Sequence, residues 1–157
     1  MTLTTAEADR ILADHFAPWV QDLGLSTVEA DDHHAVLRLP WSDRLAREGG
    51  ALSGQALMAA ADTACVIALC AARGGFGPMT TVQQSTTFQR AVLARDLLVH
   101  ARITRLGRRI AFLDITLVPE DTEDTGDTED TGAAEGTRGA WGTREPAAHA
   151  TAVYALG

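Results

Sequence analysis

The sequence predicts an α+β fold in which a largely antiparallel sheet curves around one long central helix. Three observations lead there. An alanine-rich apolar run at 56–72 is long enough for several helical turns. Two strand-like segments precede it and four follow it, an order that suits a sheet packed on one helix. The run also carries Ala56, Ala59, Ala60, Ala61, Ala64 and Ala68 on several sides. Such small residues let strands approach closely, as in a helix enclosed by a curved sheet.

The elements follow in order. Residues 6–20 read as a helix, because Ile11, Leu12, His15, Phe16 and Trp19 recur at helical spacing. Thr4 or Thr5 is its candidate cap, and Pro18 is a point where it can end early. Strands are expected at 23–29 and 35–40, with Asp31-Asp32 at the turn between them. His33-His34 falls at that turn and is expected to be exposed. Residues 40–50 are polar and loop-like, ending in Gly49-Gly50. The long helix starts at Ser53 or Gly54 and stops at Arg73-Gly74-Gly75, where glycine ends the helix and Arg suits the dipole. Strands are then expected at 80–88, 97–105, 110–118 and 147–156, with Leu106-Gly107 turning the middle pair. Between the last two lies an insertion at about 119–146 that holds DTEDTG twice in tandem. It is too polar and repetitive to fold alone and is expected to be a disordered, solvated loop.

One domain is expected for 157 residues, of which 46% are apolar. The formal charge of −8 is local. The 119–146 insertion holds nine acids and two arginines, and the remainder holds twelve acids and eleven arginines. The folded part is thus nearly neutral, which gives no reason to expect a nucleic-acid partner. All thirteen basic residues are Arg, and neither Lys nor Asn occurs, so neither can serve in catalysis. The N-terminus lacks a basic segment followed by an apolar run, so no signal peptide is expected. Although 56–72 approaches the length of a membrane span, its Ala content, Asp62 and Thr63 favour a core helix and no membrane partner. Cys65 and Cys70 lie five apart on different helix faces. They read as small buried residues of a cytoplasmic protein, not as a disulfide or a metal site.

Asp62 is the only acid in the apolar run. A carboxylate there is costly to keep ionised, so it needs either a structural partner or a chemical task. Thr63 beside it, or a threonine on a strand, would serve as the structural partner. The five histidines (His15, His33, His34, His100, His149) show no catalytic spacing.

The segment Gly49-Gly50-Ala51-Leu52-Ser53-Gly54-Gln55, followed by Ala61-Asp62-Thr63-Ala64, resembles the hotdog thioesterase superfamily. The branch it resembles most is the PaaI-like group that hydrolyses acyl-CoA. That group carries a G-x-x-H-G-G turn into its central helix and a D-x-A about two turns later. The strand from Thr80-Thr81-Val82 to Phe88-Gln89-Arg90-Ala91, the hairpin Leu106-Gly107-Arg108-Arg109 and the closing strand at 150–154 are similar to the family's elements in the same order. The resemblance implies a hotdog fold and thioester hydrolysis. It makes Asp62 the catalytic carboxylate, as nucleophile or as general base for water. Gly54 becomes the amide that polarises the thioester carbonyl, and Thr81 a hydroxyl that helps place water. Arg90, Arg108 and Arg109 fall where basic residues could meet coenzyme A phosphates. Ser53 stands in place of the motif histidine, Gln55 in place of its second glycine, and Arg47 in place of an upstream Asn or Gln. These three are carried as substrate-binding candidates.

Helix geometry adds a constraint. Gly54 offers an unpaired N–H at the positive end of the helix dipole, suited to an oxyanion. Asp62 lies eight residues further on, roughly 12 Å at helical rise. That is too far for both to act on one carbonyl. Two antiparallel helices across a two-fold axis would bring Asp62 of one chain near Gly54 of another, so a homodimer or a dimer of dimers is expected. Thiolate leaves readily, so no metal or cofactor is called for beyond the coenzyme A of the substrate. Two alternatives stand beside acyl-CoA hydrolysis. One is a non-catalytic acyl-CoA-binding module. The other is a hotdog dehydratase or hydratase, which Ser53 at the histidine position disfavours.

Overall fold

The computed structural model describes residues 2–121 and 145–157. The acidic insertion expected at 119–146 lies, apart from its two ends, outside the described residues.

The expected helix at 6–20 forms as two. Helix α1 spans Thr5–His15 and α2 spans Pro18–Gln21. Thr4 caps α1 in a reciprocal capping box with Glu7, satisfying two otherwise free N–H groups. Pro18 lacks an N–H and its ring would meet the carbonyl four residues back. The chain therefore extends at Phe16 and Ala17 and restarts with Pro18 in the first turn of α2. Gly24, at φ +73, closes α2, so β1 begins later than expected, at Ser26–Ala30.

Asp31 Oδ1 accepts the backbone N–H groups of His33 and His34 at 2.7 and 2.8 Å, which turns the chain into β2, His34–Leu39. His33 is exposed as expected. His34 is not: its ring is half-buried between Glu29 and Asp31.

Helix α3 spans Gly54–Arg73. It ends as the sequence predicts, with Gly74 left-handed at φ 77 and the Gly75 N–H bonded to Cys70 O at 2.8 Å. By length and composition α3 could cross a membrane, yet its most apolar window is 67% buried within the fold. Both cysteines are buried and unpaired, as expected.

Strands β3 (Met79–Phe88), β4 (Leu97–Leu106), β5 (Ile110–Pro119) and β6 (Ala148–Leu156) complete a six-stranded sheet. Its order is β1-β2-β4-β5-β6-β3, and every neighbouring pair is antiparallel. One face wraps α3. Leu37 and Leu39 of β2, Val99 of β4, Leu113 and Ile115 of β5 and Ala150 of β6 are essentially inaccessible on that face. Against them lie Ala60, Ala61, Ala64, Ile67 and Ala68 of α3.

The wrap is incomplete. Gln55, Met58, Ala59, Asp62 and Val66 form a helical stripe that stays at least partly exposed. Beside it β3 is an edge strand with little buried surface on either face.

The core side of this arrangement is directly testable. Truncating Leu37→Ala removes a fully buried side chain facing α3 and should cost about 2–5 kcal/mol in urea unfolding.

Candidate active site

Asp62 sits midway along α3, on the stripe that the sheet leaves open, and is half-buried. Thr63 is not its partner, because the Thr63 hydroxyl donates back to Ala59 O at 2.8 Å. Two other hydroxyls reach the carboxylate. Thr81 Oγ1 on β3 donates to Asp62 Oδ1 at 2.8 Å. The Tyr154 phenol on β6 donates to the same oxygen and lies 2.9 Å from Asp62 O. Asp62 Oδ2 has no partner among the described residues.

Strand geometry explains how both hydroxyls arrive. Thr81 and Tyr154 are register partners on adjacent strands, so their side chains share a face. The β3–β6 register shifts between Thr81 and Gln83, a bulge that leaves Val82 over. The extra residue reverses the alternation. Thr81 faces α3 before the bulge, and Gln84, Thr86 and Phe88 face it afterwards. Gln84 Nε2 accordingly bonds Met58 O at 3.1 Å, and the Phe88 ring closes on Gly54.

Tyr154 was not singled out by its sequence context. The available signal is that it is the only tyrosine, set in the buried face Ala148, Ala150, Ala152, Leu156. A phenol in such a row needs a polar partner. Burial pushes the Tyr154 hydroxyl well above the usual phenol range, and the neighbouring Cys65 and Asp62 push it the same way. It therefore stays a neutral donor.

Gly54 opens α3. Ser53 caps the helix, its Oγ accepting from the Ala56 N–H at 3.2 Å, while the Leu57 N–H bonds Ser53 O. The N–H groups of Gly54 and Gln55 are left unpaired among the described residues. The Ser53 hydroxyl at the motif-histidine position thus accepts from the helix, and its own proton is not committed by the cap.

The remaining candidates divide. Arg47 and Arg90 line a cavity of about 390 Å³ with Gly54, Leu57 and Phe88. Arg47 also donates to Glu48 O at 3.2 Å, and Arg90 pairs with Glu145. Ser53 and Gln55 instead border a second cavity with Trp19, Asp22 and Arg44. Arg108 and Arg109 occupy the β4–β5 turn. The Leu156 N–H bonds Arg109 O, and Leu156 pairs with Met79, whereas the Gly54 end of the sheet is marked by Phe88 paired with Ala148. One chain therefore holds Gly54, Arg47 and Arg90 at one end, Asp62 and Thr81 in the middle, and Arg108 and Arg109 at the other end.

An antiparallel sheet wrapped on a central helix, with a glycine amide at the helix start and a carboxylate two turns on, defines a hotdog-fold protein. Residues 49–125 match the family model described as Thioesterase superfamily, and the chain belongs to that superfamily. A Silicibacter protein described as a candidate thioesterase is 26% identical, with a TM-score of 0.76 over 99% of this chain and 92% of its own. Zebrafish thioesterase superfamily member 2 is 19% identical, with a TM-score of 0.75 over 99% of this chain and 100% of its own. A mutant thioesterase of Pseudomonas aeruginosa is 16% identical, with a TM-score of 0.75 over 99% and 95%. No curated protein has a significantly similar sequence. Family and fold together support a thioesterase activity in general terms.

The thiols near the carboxylate are inert by the same physics that holds the phenol neutral. Burial raises both, with the charge of Asp62 adding to it at Cys65. Cys70 is pushed up to about 11, against a smaller opposing pull from Arg73. Neither should react with an aromatic disulfide reagent at pH 8 in the folded protein, and both should react in denaturant. Because the folded values exceed the unfolded one of about 8.5, this contribution to stability is present below that pH and is lost as pH rises. A urea midpoint that fails to fall on going above about pH 9 would contradict it.

Proposed function

We propose that the protein hydrolyses the thioester of an acyl- or aryl-CoA, in the manner of the PaaI-like branch, as a homodimer with two composite sites or a dimer of such dimers. The observation that carries this reading is Asp62 itself. It is tied down through Oδ1, has no partner at Oδ2 among the described residues, and is presented on a helix stripe that the described strands leave open.

A second copy fits that opening. An unpaired edge strand is a template for another strand. Antiparallel pairing of β3 with its counterpart would extend the sheet and set the two α3 helices side by side. Asp62 of one copy would then approach Gly54 of the other, with Arg47 and Arg90 from the Gly54 side. Arg108 and Arg109 come from the Asp62 side. Met58, Val82 and Phe88, which are 41%, 61% and 48% exposed, would be covered by such pairing. The buried reduced thiols suit a cytoplasmic setting.

In the reaction, Asp62 Oδ2 takes a proton from water as the water oxygen bonds the thioester carbon. Charge gathers on the carbonyl oxygen against the Gly54 N–H, where a helix-terminal donor is strongest. Collapse breaks the C–S bond, and the leaving thiolate takes the proton that Asp62 removed from water. The products are a carboxylic acid and coenzyme A. Direct attack by Oδ2, followed by hydrolysis of the resulting anhydride, uses the same geometry.

Thiol release from a panel of acyl-CoAs tests the reading. Asp62→Asn should lower kcat by about 10²–10⁴-fold. Equal rates for both proteins would sink the role of Asp62, and binding without turnover on any chain length would mark a non-catalytic module. Gly54→Pro removes the proposed oxyanion donor but also sets a Cβ 3.3 Å from the Phe88 ring, so Gly54→Ala, which adds the Cβ and keeps the N–H, is its control. The first helical position tolerates proline, and Ser53 is already extended at φ −67, ψ 149. A fall in kcat of about 10²–10³-fold is expected. Mixing the two inactive variants should restore activity, because each mixed dimer regains one intact composite site. No restoration on subunit exchange would place both groups within one chain.

A further inference from the structure

Tyr154 has no role in the motif set, yet it hydrogen-bonds the carboxylate directly. It is 1% exposed, on the face of β6 otherwise lined by Ala148, Ala150 and Ala152. Those alanines let α3 lie close to β6, and the phenol ring spans the remaining gap. Its hydroxyl meets Asp62 at two atoms, the side-chain Oδ1 and the main-chain O at 2.9 Å. A single group that grips both atoms of one residue fixes the carboxylate relative to the helix axis. Thr81 adds a second donor to the same Oδ1 from the opposite strand partner. With two hydroxyls on one oxygen, the carboxylate has one anchored end and one end without a partner among the described residues.

We propose that Tyr154 is a positioning residue for hydrolysis: by holding Asp62 at Oδ1 and O, it presents Oδ2 alone to the substrate. This role rests on the thioesterase reading above. It acts through Asp62, with no contact to substrate required. It also changes the account of Thr81. The Thr81 proton is donated to Asp62, so toward water the hydroxyl can only accept. A reacting group displaced by as little as 1 Å can lose about 10²-fold in rate, so a held carboxylate matters even where the chemistry is simple.

The test is Tyr154→Phe, which keeps the ring and its packing and removes only the hydroxyl. In the thiol-release assay kcat should fall about tenfold with KM within about twofold, since substrate is not touched. The thermal midpoint should stay near that of wild type. A structural role alone would lower the midpoint and leave kcat per folded molecule intact; that result, or an unchanged kcat in a stable variant, overturns the proposal. Thr81→Val should give a smaller loss than the sum when combined with Tyr154→Phe, because both act on one oxygen.

A second measurement does not depend on activity. Tyr154 is the only tyrosine, so subtracting the spectrum of Tyr154→Phe isolates its absorption. Phenols that donate a hydrogen bond to a carboxylate absorb to the red. Asp62→Ala should move the band to the blue. An unmoved band refutes the hold on Asp62. Should wild type release no thiol from any thioester, hydrolysis fails as the function, and the band position still decides whether Tyr154 holds the carboxylate.

Discussion

The close approach of α3 to its sheet is the constraint on which the rest depends. It is set by Ala60, Ala61, Ala64 and Ala68, all inaccessible, on the helix faces turned to the strands. A helix bearing leucines there would stand further off, since interaxial spacing follows side-chain size. The consequence is chemical as well as structural. Threonine has a short side chain, and Thr81 can reach Asp62 at 2.8 Å only because its strand runs so near the helix. The phenol of Tyr154 likewise bridges from β6 with no water between.

That closeness must end where the proposed reaction would occur. Between Met79 and Phe88 at its two ends, β3 meets α3 through polar side chains, Thr81, Gln84 and Thr86, and these bond to the helix or to each other. A polar seam of this kind costs little to leave partly wet, whereas an apolar seam would be driven shut. The open stripe from Gln55 to Val66 is thus a property of β3 as much as of α3.

Much of this was legible in the sequence. The alanine run, its glycine stop and the flanking order of strands gave the fold, because those signals are local and periodic. Asp62 was legible because one acid in an apolar run contradicts its surroundings. What sequence reading could not supply came from placement between elements. The bulge at Val82 leaves no mark in an alternating threonine-rich strand, yet it decides that Gln84 rather than Gln83 faces the helix. Tyr154 reaches Asp62 across 92 positions, through a register that no local pattern encodes. Ser53 reads as a motif substitution in sequence and as an N-cap in space. The cap uses Ser53 Oγ as an acceptor, so its O–H can still donate.

The separation of Gly54 from Asp62 has a thermodynamic logic within the proposed dimer. A donor and a carboxylate on one helix, close enough to act together, would pair with each other, because an anion is stabilised by free N–H groups. Asp62 would then serve as a cap for its own helix and lose its free oxygen. Set two turns apart, neither can satisfy the other within a chain. Ser53 takes the cap instead, bonding Ala56 and leaving the Gly54 N–H open. Tyr154 and Thr81 then satisfy one carboxylate oxygen and leave the other open. Each half is stable alone with one group unsatisfied at a partly exposed surface, where water keeps the cost low. Only when a second copy excludes that water do the two unsatisfied groups face one another. A carbonyl that develops negative charge between them then meets a donor on one side and an attacking oxygen on the other.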